Sequence, residues 1–438
     1  MTSSMATTTS LSDDQFSEFL DRQDESDAVR NQRRTAWQSF QSMEWPKRSE
    51  EEWIRTDIRL FQPQRYQLPS PVDLDPAFSQ VAGQMKIEEV AGQIKSFNSC
   101  PVSESVSEQL SEQGVIFQSL SAAARDHRDL VEPHLMKTAF NPVYDRFASL
   151  HAACWSGGAF LYVPRGVSVV EPFHLLSIMG DRGTDFGHVL VVLEDGANAT
   201  LVCETASDSA GDGFHCGGME LVVGCGANLK FVTFQNWNRR TWHFAHQAGV
   251  VKQDGQLEWT VGALGSRLAK VNQTVELVGP GAHCRVNGTM FTEGRQHLSY
   301  HTLQHHRAAS ATSDFLYKAA LQDESRTVWR GMIRVEPEAQ QTDGYQRNDN
   351  LMLSRLARAD SIPGLAIEAD DVRCTHGSTT GSVDDEMMFY AMNRGFTRKE
   401  AARMIVTGFF QQVFERVTVS SVREALGSAI AQRVREYE

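Results

Sequence analysis

Four glycine turns recur along the middle of the chain, each followed at once by a run of alternating apolar and polar residues. They read Gly196-Ala-Asn-Ala-Thr-Leu-Val-Cys203, Gly226-Ala-Asn-Leu-Lys-Phe-Val-Thr233, Gly255-Gln-Leu-Glu-Trp-Thr-Val261 and Gly281-Ala-His-Cys-Arg-Val-Asn287, and they begin 30, 29 and 26 residues apart. Alternation puts successive side chains on opposite faces of a strand, so each run has an apolar face to bury. A strand repeat of this period buries that face against the next coil of a stack, which predicts a mainly β protein built as a β-helix or irregular β-solenoid. A β-sandwich of ordinary hairpins is the competing reading of the same spacing.

The flanks follow a different rhythm. From Asp13 to Leu60 apolar residues fall at helical spacing: Phe16, Phe19 and Leu20, then Trp37 and Phe40, then Trp53, Ile54 and Ile58. That predicts helices punctuated by Pro46, and Phe61–Pro76 reads as a proline-punctuated linker. Near the other end, Ser382-x-x-Asp385, Thr397-x-x-Glu400 and Ser421-x-x-Glu424 have the form of helix N-caps, and Gly395 stands where a helix can stop. The middle one of these three helices carries an apolar face of Ala401, Met404, Ile405, Gly408, Phe409 and Val413. In 438 residues, enough for two or three cores, the expected partition is a mainly helical N-terminal domain over 1–140, opening with a flexible tail from Met1 to Ser12, a β domain over 146–381, and a C-terminal helical domain over 382–438. From Val383 onward eight acids balance eight bases, whereas the whole chain carries a formal charge of −13. Such a neutral amphipathic unit either packs into the core or docks a partner.

Composition excludes several classes of function. The 42 basic residues are outnumbered by 55 acids and form no run, so no cationic face for nucleic acid is visible. No stretch approaches the roughly 18 apolar residues of a membrane span, and the N-terminus has neither a secretory signal nor a transit peptide, which predicts a cytoplasmic protein. Seven cysteines without a Cys-x-x-Cys pair read as reduced thiols. There is no Gly-Lys dipeptide, hence no P-loop and no ATP site of its own, and no His-Glu-x-x-His for zinc. Two groups of side chains could carry chemistry. His297, His301 and His305 are four apart and share a face if the strand runs straight, where imidazoles could share a metal or serve only as surface and interior hydrogen-bonders. Cys374 and His376, two apart on one strand face with β-carbons about 7 Å apart, could bind or flank one iron, or be structural.

The run Pro363-Gly-Leu-Ala-Ile-Glu-Ala-Asp-Asp-Val-Arg-Cys-Thr-His-Gly-Ser-Thr-Thr-Gly381, followed by Asp385-Glu-Met-Met-Phe-Tyr390 and Arg394-Gly395, resembles the signature of the SufB/SufD family of iron–sulfur cluster assembly proteins. Gly331-Met-Ile-Arg-Val335, Ala339-Gln-Gln-Thr-Asp343, Gln346-Arg-Asn-Asp-Asn-Leu351, Tyr317-Lys318 and Glu51-Glu-Trp-Ile-Arg-Thr56 are similar to the same family's pattern. Phe147-Ala-Ser-Leu-His-Ala152 resembles the entry to its β domain, with His151 where an asparagine is usual.

The resemblance implies a central right-handed parallel β-helix between helical N- and C-terminal domains. It is closest to the SufD-like branch, because His376-Gly377-Ser378-Thr379 replaces the His-Glu-Ala-Thr of the SufB-like branch and so lacks a glutamate. It implies a non-catalytic scaffold subunit in a complex with one SufB-like subunit and two copies of a SufC-like ABC-type ATPase, fed by sulfur-donor proteins; the open strand edges at the end of a solenoid predict pairing through the strands near Val372 to His376, with a weaker homodimer when the SufB-like partner is absent. Iron or a nascent cluster would pass transiently through the SufB–SufD interface, with His376 and Cys374 as candidate ligands, and the resemblance leaves room for a reduced flavin in the complex. Asp385, Phe389, Tyr390, Arg394, Gly395 and Phe409 form the expected partner-binding set on the C-terminal helices. The rival class is a β-helix carbohydrate lyase or hydrolase, for which Asp343, Asp349 and Asp360 are the available carboxylates.

Overall fold

The computed structural model describes residues 11–70, 87, 89–207 and 211–435. The expected tail therefore lies outside the described residues except for Leu11 and Ser12, as do positions 71–76 of the expected linker.

The four glycine-led repeats are neighbours in space. Their strands, Asn198–Ser207, Asn228–Gln235, Gln256–Ala263 and His283–Thr292, lie side by side in one parallel sheet, with Asn198, Asn228, Gln256 and His283 in register. Between them the chain forms Gly213–Val223, Thr241–Val251 and Leu268–Leu277, which pair with one another in a second parallel sheet. Each repeat is thus one coil of two strands, and eight such coils stack, from Gly158–Val163 with Phe173–Met179 to Arg358–Ile367 with Val372–Ser382. The parallel ladders identify a β-solenoid, because hairpins of a sandwich would pair antiparallel. Gly196, Gly226 and Gly281 have φ of 70°, 62° and 71°, the left-handed conformation the corner demands. In the third repeat Asp254, at φ 52°, takes that place one residue before Gly255.

Rung-on-rung stacking fills the space between the sheets. Leu201, Phe231, Trp259, Val286 and Phe315 occupy matching positions on successive coils of the first sheet, all fully buried. Each such side chain contributes about 1.5–3 kcal/mol over leaving it in water. Polar groups at the corners are satisfied in the same repeating way. Gln235 Oε1 accepts from the Gly265 N–H at 2.8 Å, one coil on Gln296 Nε2 donates to the Ser266 carbonyl at 2.8 Å, and the Thr292 and Ser325 hydroxyls pair at 2.8 Å.

Helices cover the outer faces of both sheets. At the N-terminus, Asp13–Asp21 and Asp27–Ser42 start on Ser12 and Ser26 caps and bury Phe16, Phe19, Leu20, Trp37 and Phe40. They share an aromatic cluster with Phe214, Trp242 and Phe244 of the second sheet. The expected third helix is absent: Glu50–Arg55 forms turns, in which Trp53 is buried and Ile54 exposed. Strands also begin well before the change of pattern at Arg146. Gly92–Phe97 and Cys100–Val106 form a hairpin added to Phe173–Met179, and Ile116–Gln118 pairs antiparallel with Gly158–Val163.

At the C-terminus the three helices are Asp385–Asn393, Arg398–Phe414 and Ser420–Arg433, packed on Val232, Phe234, Phe291 and Leu351 of the first sheet. The caps differ in part from the sequence reading. Thr397 and Glu400 form the full capping box, but Asp384 rather than Ser382 caps the first helix, and Val419 precedes the third with no side-chain bond. The middle helix buries Ala401, Ala402, Val406, Phe410, Val413 and Phe414; of the expected face Ala401 and Val413 are buried and Ile405 and Phe409 half-buried, whereas Met404 and Gly408 are exposed, because apolar residues on a second side of this helix shift the buried stripe toward Ala402, Val406 and Phe410. No helix among the described residues is long and apolar enough to cross a membrane.

His151 has a specific partner set. Its Nδ1–H donates to the Cys216 carbonyl at 2.7 Å, which leaves Nε2 to accept from His188 Nδ1–H at 2.8 Å. His188 Nε2 in turn faces Glu220 Oε1 at 3.1 Å, and the two Glu220 oxygens receive the backbone N–H groups of Met136 (2.6 Å) and Phe140 (3.1 Å). This buried chain pins the segment ahead of the helix Arg146–Cys154 to the solenoid. Glu220→Gln puts an amide NH2 where a backbone donor already points, so it should cost about 1–3 kcal/mol in urea unfolding. A second expectation concerns acid. Burial pushes His151 and His215 well below the usual imidazole value, His243 down to about 3, and His297 and His306 to about 4. These histidines stay neutral in the folded chain while the unfolded chain takes up protons below about pH 6.5, so stability is complete above that pH and is lost as pH falls toward 4. Unfolding free energies measured across that window should fall by up to about 1.4 kcal/mol per pH unit for each such histidine.

Candidate functional site

The two ends of the stack are finished differently. The first coil is covered by the chain's own short strands, a hairpin whose first strand adds in parallel on one sheet and a single antiparallel strand on the other, whereas beyond the last coil no strand follows among the described residues. Arg358–Ile367 and Val372–Ser382 therefore present open edges, the first mostly half-buried and the second largely exposed. Their chemistry differs. Pro363 removes one donor from the first of these edges, while Val372–Ser382 has no proline and keeps an unbroken row of backbone groups.

Cys374 and His376 lie on this second edge, in register with Gly344 and Gln346 of the strand beneath. Alternation gives them one face, as expected, but different surroundings. Cys374 is half-buried against Ile333, Val335, Ala339 and Ala369, and burial pushes its thiol up, so it is protonated near neutral pH in the free chain. His376 is exposed. Gln346, directly below it, spends its amide on the Gly364 carbonyl at 3.0 Å, which leaves the imidazole available to an outside partner. A half-buried thiol and an exposed imidazole are two donors, fewer than a metal ion needs. Among the described residues no group of three or more His, Cys, Asp or Glu side chains is placed to hold an ion.

His297, His301 and His305 do share the outer face of the second sheet, but four residues of strand separate neighbours by about 13 Å, too far for one ion. Each also stands beside an arginine of the next strand, His297 by Arg326, His301 by Arg330 and His305 by Arg334, which disfavours a dication. His301 is pushed down to about 2 by burial next to Lys270 and Arg330, and His305 pairs with Glu336 at 2.7 Å. The carboxylates available to a glycosidase are likewise engaged: Asp343 by Arg373, Asp349 by Lys318 and Arg347, Asp360 by Arg326 and Arg358.

On the C-terminal helices, Asp385 is exposed, and so are Phe389 (69%) and Tyr390 (60%), together with Met387, Met392 and Phe396. Arg394 lies over the Tyr390 ring at 4.8 Å, and Gly395, at φ 93°, ends the helix. Phe409 differs from the rest of the expected set, because Lys318 Nζ of the solenoid stands 4.8 Å over its ring. That contact belongs to a buried cluster not foreseen as a unit from the sequence, although Tyr317-Lys318, Gln346–Leu351 and the signature run each contribute to it. Lys318, Asp349 and Thr379 occupy three successive rungs of the first sheet.

Comparison with known proteins agrees with this architecture. Residues 14–175 match the family model described as SufBD protein N-terminal region, and residues 176–409 match that described as SUF system FeS cluster assembly, SufBD core domain. The iron–sulfur cluster assembly protein SufD of Bacillus subtilis is 30% identical over 338 residues, covering 76% of this chain and 77% of the relative. An iron–sulfur cluster assembly SufBD family protein of Mycobacterium tuberculosis is 32% identical over 295 residues, 65% of this chain and 73% of the relative. One from Staphylococcus epidermidis is 27% identical over 326 residues, 74% and 70%. With the core model alone spanning more than half its length, the chain belongs to the SufBD family of the SUF iron–sulfur cluster assembly system.

Proposed function

We propose that this chain is the SufD-like scaffold subunit of an iron–sulfur cluster assembly complex, and that its edge strand Val372–Ser382 pairs with a SufB-like subunit. The observation that carries this reading is the uncapped last coil, whose proline-free edge holds the exposed His376 beside Cys374. Strand addition would leave the two side chains facing the partner, which completes the ligand set for transient iron or a nascent cluster. Neutral imidazole is a competent iron ligand near pH ~7, whereas Cys374 must first lose its proton, which the positive charge of iron favours. In the absence of the partner, the same edge supports a homodimer.

The chain itself turns over no substrate in this reading. A SufC-like ABC-type ATPase supplies the energy and docks on the exposed Met387, Phe389, Tyr390, Met392 and Phe396 surface, an apolar patch of the kind that marks a protein interface. Sulfur-donor proteins reach the site through the complex. The cavity of about 570 Å³ lined by Asp323, Glu324, Leu353, Arg355, Leu356 and Arg435 has no aromatic side chain in its lining and so offers no stacking face for a flavin ring. Seven unpaired cysteines suit a reducing compartment, which supports a cytoplasmic location.

Two sets of variants test the reading in cells that co-express the partners. His376→Ala, an exposed change that opens no cavity, should leave the complex assembled at full abundance and cut cluster yield by about 10-fold or more, the scale on which metal sites respond to a lost group. Full yield would remove the ligand role. Removing the C-terminal helices would bare Phe234, Phe291 and Leu351, so docking is tested on the surface instead. Phe389→Ser and Tyr390→Ser should each weaken ATPase binding by about 2 kcal/mol, roughly 30-fold, with no change in thermal stability. Unchanged ATPase co-purification would place docking elsewhere.

A further inference from the structure

The path from the C-terminal helices to the edge strand along the backbone is short, but a second path runs through side chains. Lys318, Asp349 and Thr379 sit in register on the last three strands of the first sheet, with their side chains on its outer face. Lys318 Nζ donates to the Phe409 carbonyl of helix Arg398–Phe414 at 3.1 Å and lies 3.5 Å from Asp349 Oδ2. Asp349 Oδ1 accepts from the Thr379 hydroxyl at 2.6 Å and from Arg347 Nε at 3.0 Å. From the inner face, Asn350 Nδ2 reaches the Thr379 carbonyl and the Thr380 hydroxyl, both at 3.3 Å, so this stretch of the edge strand is gripped from two sides.

We infer that Lys318, Asp349 and Thr379 form a coupler that ties the position of helix Arg398–Phe414 to the edge strand just beyond His376. The inference rests on the reading that the helices meet the ATPase and the edge meets the second subunit. Lys318 and Asp349 are 8% and 3% exposed. A buried ion pair of this kind adds little stability over an apolar pair, yet separating it is costly because Lys318 is left buried without its carboxylate, while Asp349 keeps Arg347. Asp349 therefore holds Lys318 and Thr379 together or loses both, and a shift of the Phe409 carbonyl is felt three residues from His376. Cys374, packed on Ile333 and Val335, stays with the sheet, so the coupler moves the imidazole relative to the thiol. In this arrangement Lys318, Asp349 and Thr379 are positioning residues and touch no cluster.

Hydrogen exchange on the full chain tests the coupler without reference to iron. Thr379→Val is isosteric and lies on the exposed edge, so it keeps the fold; it should raise exchange on the order of 5-fold in helix Arg398–Phe414, which Thr379 does not touch. Lys318→Met should raise exchange in Val372–Ser382, and the double variant should exceed neither single variant by more than experimental error. Thr375→Val on the same strand, outside the network, should leave the helix unchanged. Effects confined to each variant's own strand, or additive effects in the double variant, overturn the coupler. In the assembled complex Thr379→Val should lower ATP-stimulated cluster formation while partner binding is retained. Loss of exchange coupling with normal ATP response refutes this inference and leaves the scaffold reading standing, whereas exchange coupling in a chain that supports no cluster formation would sink the scaffold reading alone.

Discussion

The stacking of one coil on the next is the constraint from which the remaining features follow. A coil of two strands cannot bury its own apolar face, so Leu201 needs Phe231 above it, Phe231 needs Trp259, and the series continues until something other than another coil ends it. Parallel pairing then fixes the register everywhere, because a slip of one residue would turn every inward side chain outward. The same demand explains the outer layers. Strands such as Thr241–Val251 are buried on both faces, one by the facing sheet and one by the N-terminal helices.

Much of this was legible because the coil repeat is written in turns and alternation, and both survive in a single sequence. Gly196, Gly226 and Gly281 mark the corners where left-handed backbone is required, and the strands after them take the expected alternation. The C-terminal capping box at Thr397 and Glu400 was equally readable, since its partners are three residues apart. What was not legible depends on distance in sequence. Trp53 looks helical by spacing, yet its burial comes from Phe147 and Phe244 rather than from a local turn of helix. The strands Gly92–Phe97 and Cys100–Val106 are short and polar, and only the bare edge of Phe173–Met179 makes them strands.

The candidate site divides along the same line. That Cys374 and His376 share a face could be stated from their spacing, but that one is packed and the other exposed depends on Ala339, Ala369 and the lack, among the described residues, of a ninth coil. His297, His301 and His305 show the reverse. Their shared face was correctly read, and their separation along the strand, with arginines on the neighbouring rung, argues against a common ion. His151, unusual for the resemblance that pointed to it, acquires its meaning only from His188 and Glu220, which are 37 and 32 residues further along the chain from their respective partners.

The difference between the two ends of the solenoid also governs how many chains can join. A stack with two bare ends would add copies without limit and grow into a filament, since each addition regenerates the surface it consumed. Here the hairpin Gly92–Phe97 with Cys100–Val106 covers the first coil and moves the edge to a short strand with Pro101 in it and a register shift at Lys95 and Ser96, a poor template for another chain. When the open end meets another of its kind, both are used up and only the poor edges remain. A chain with one good edge and one poor one is built to count to two.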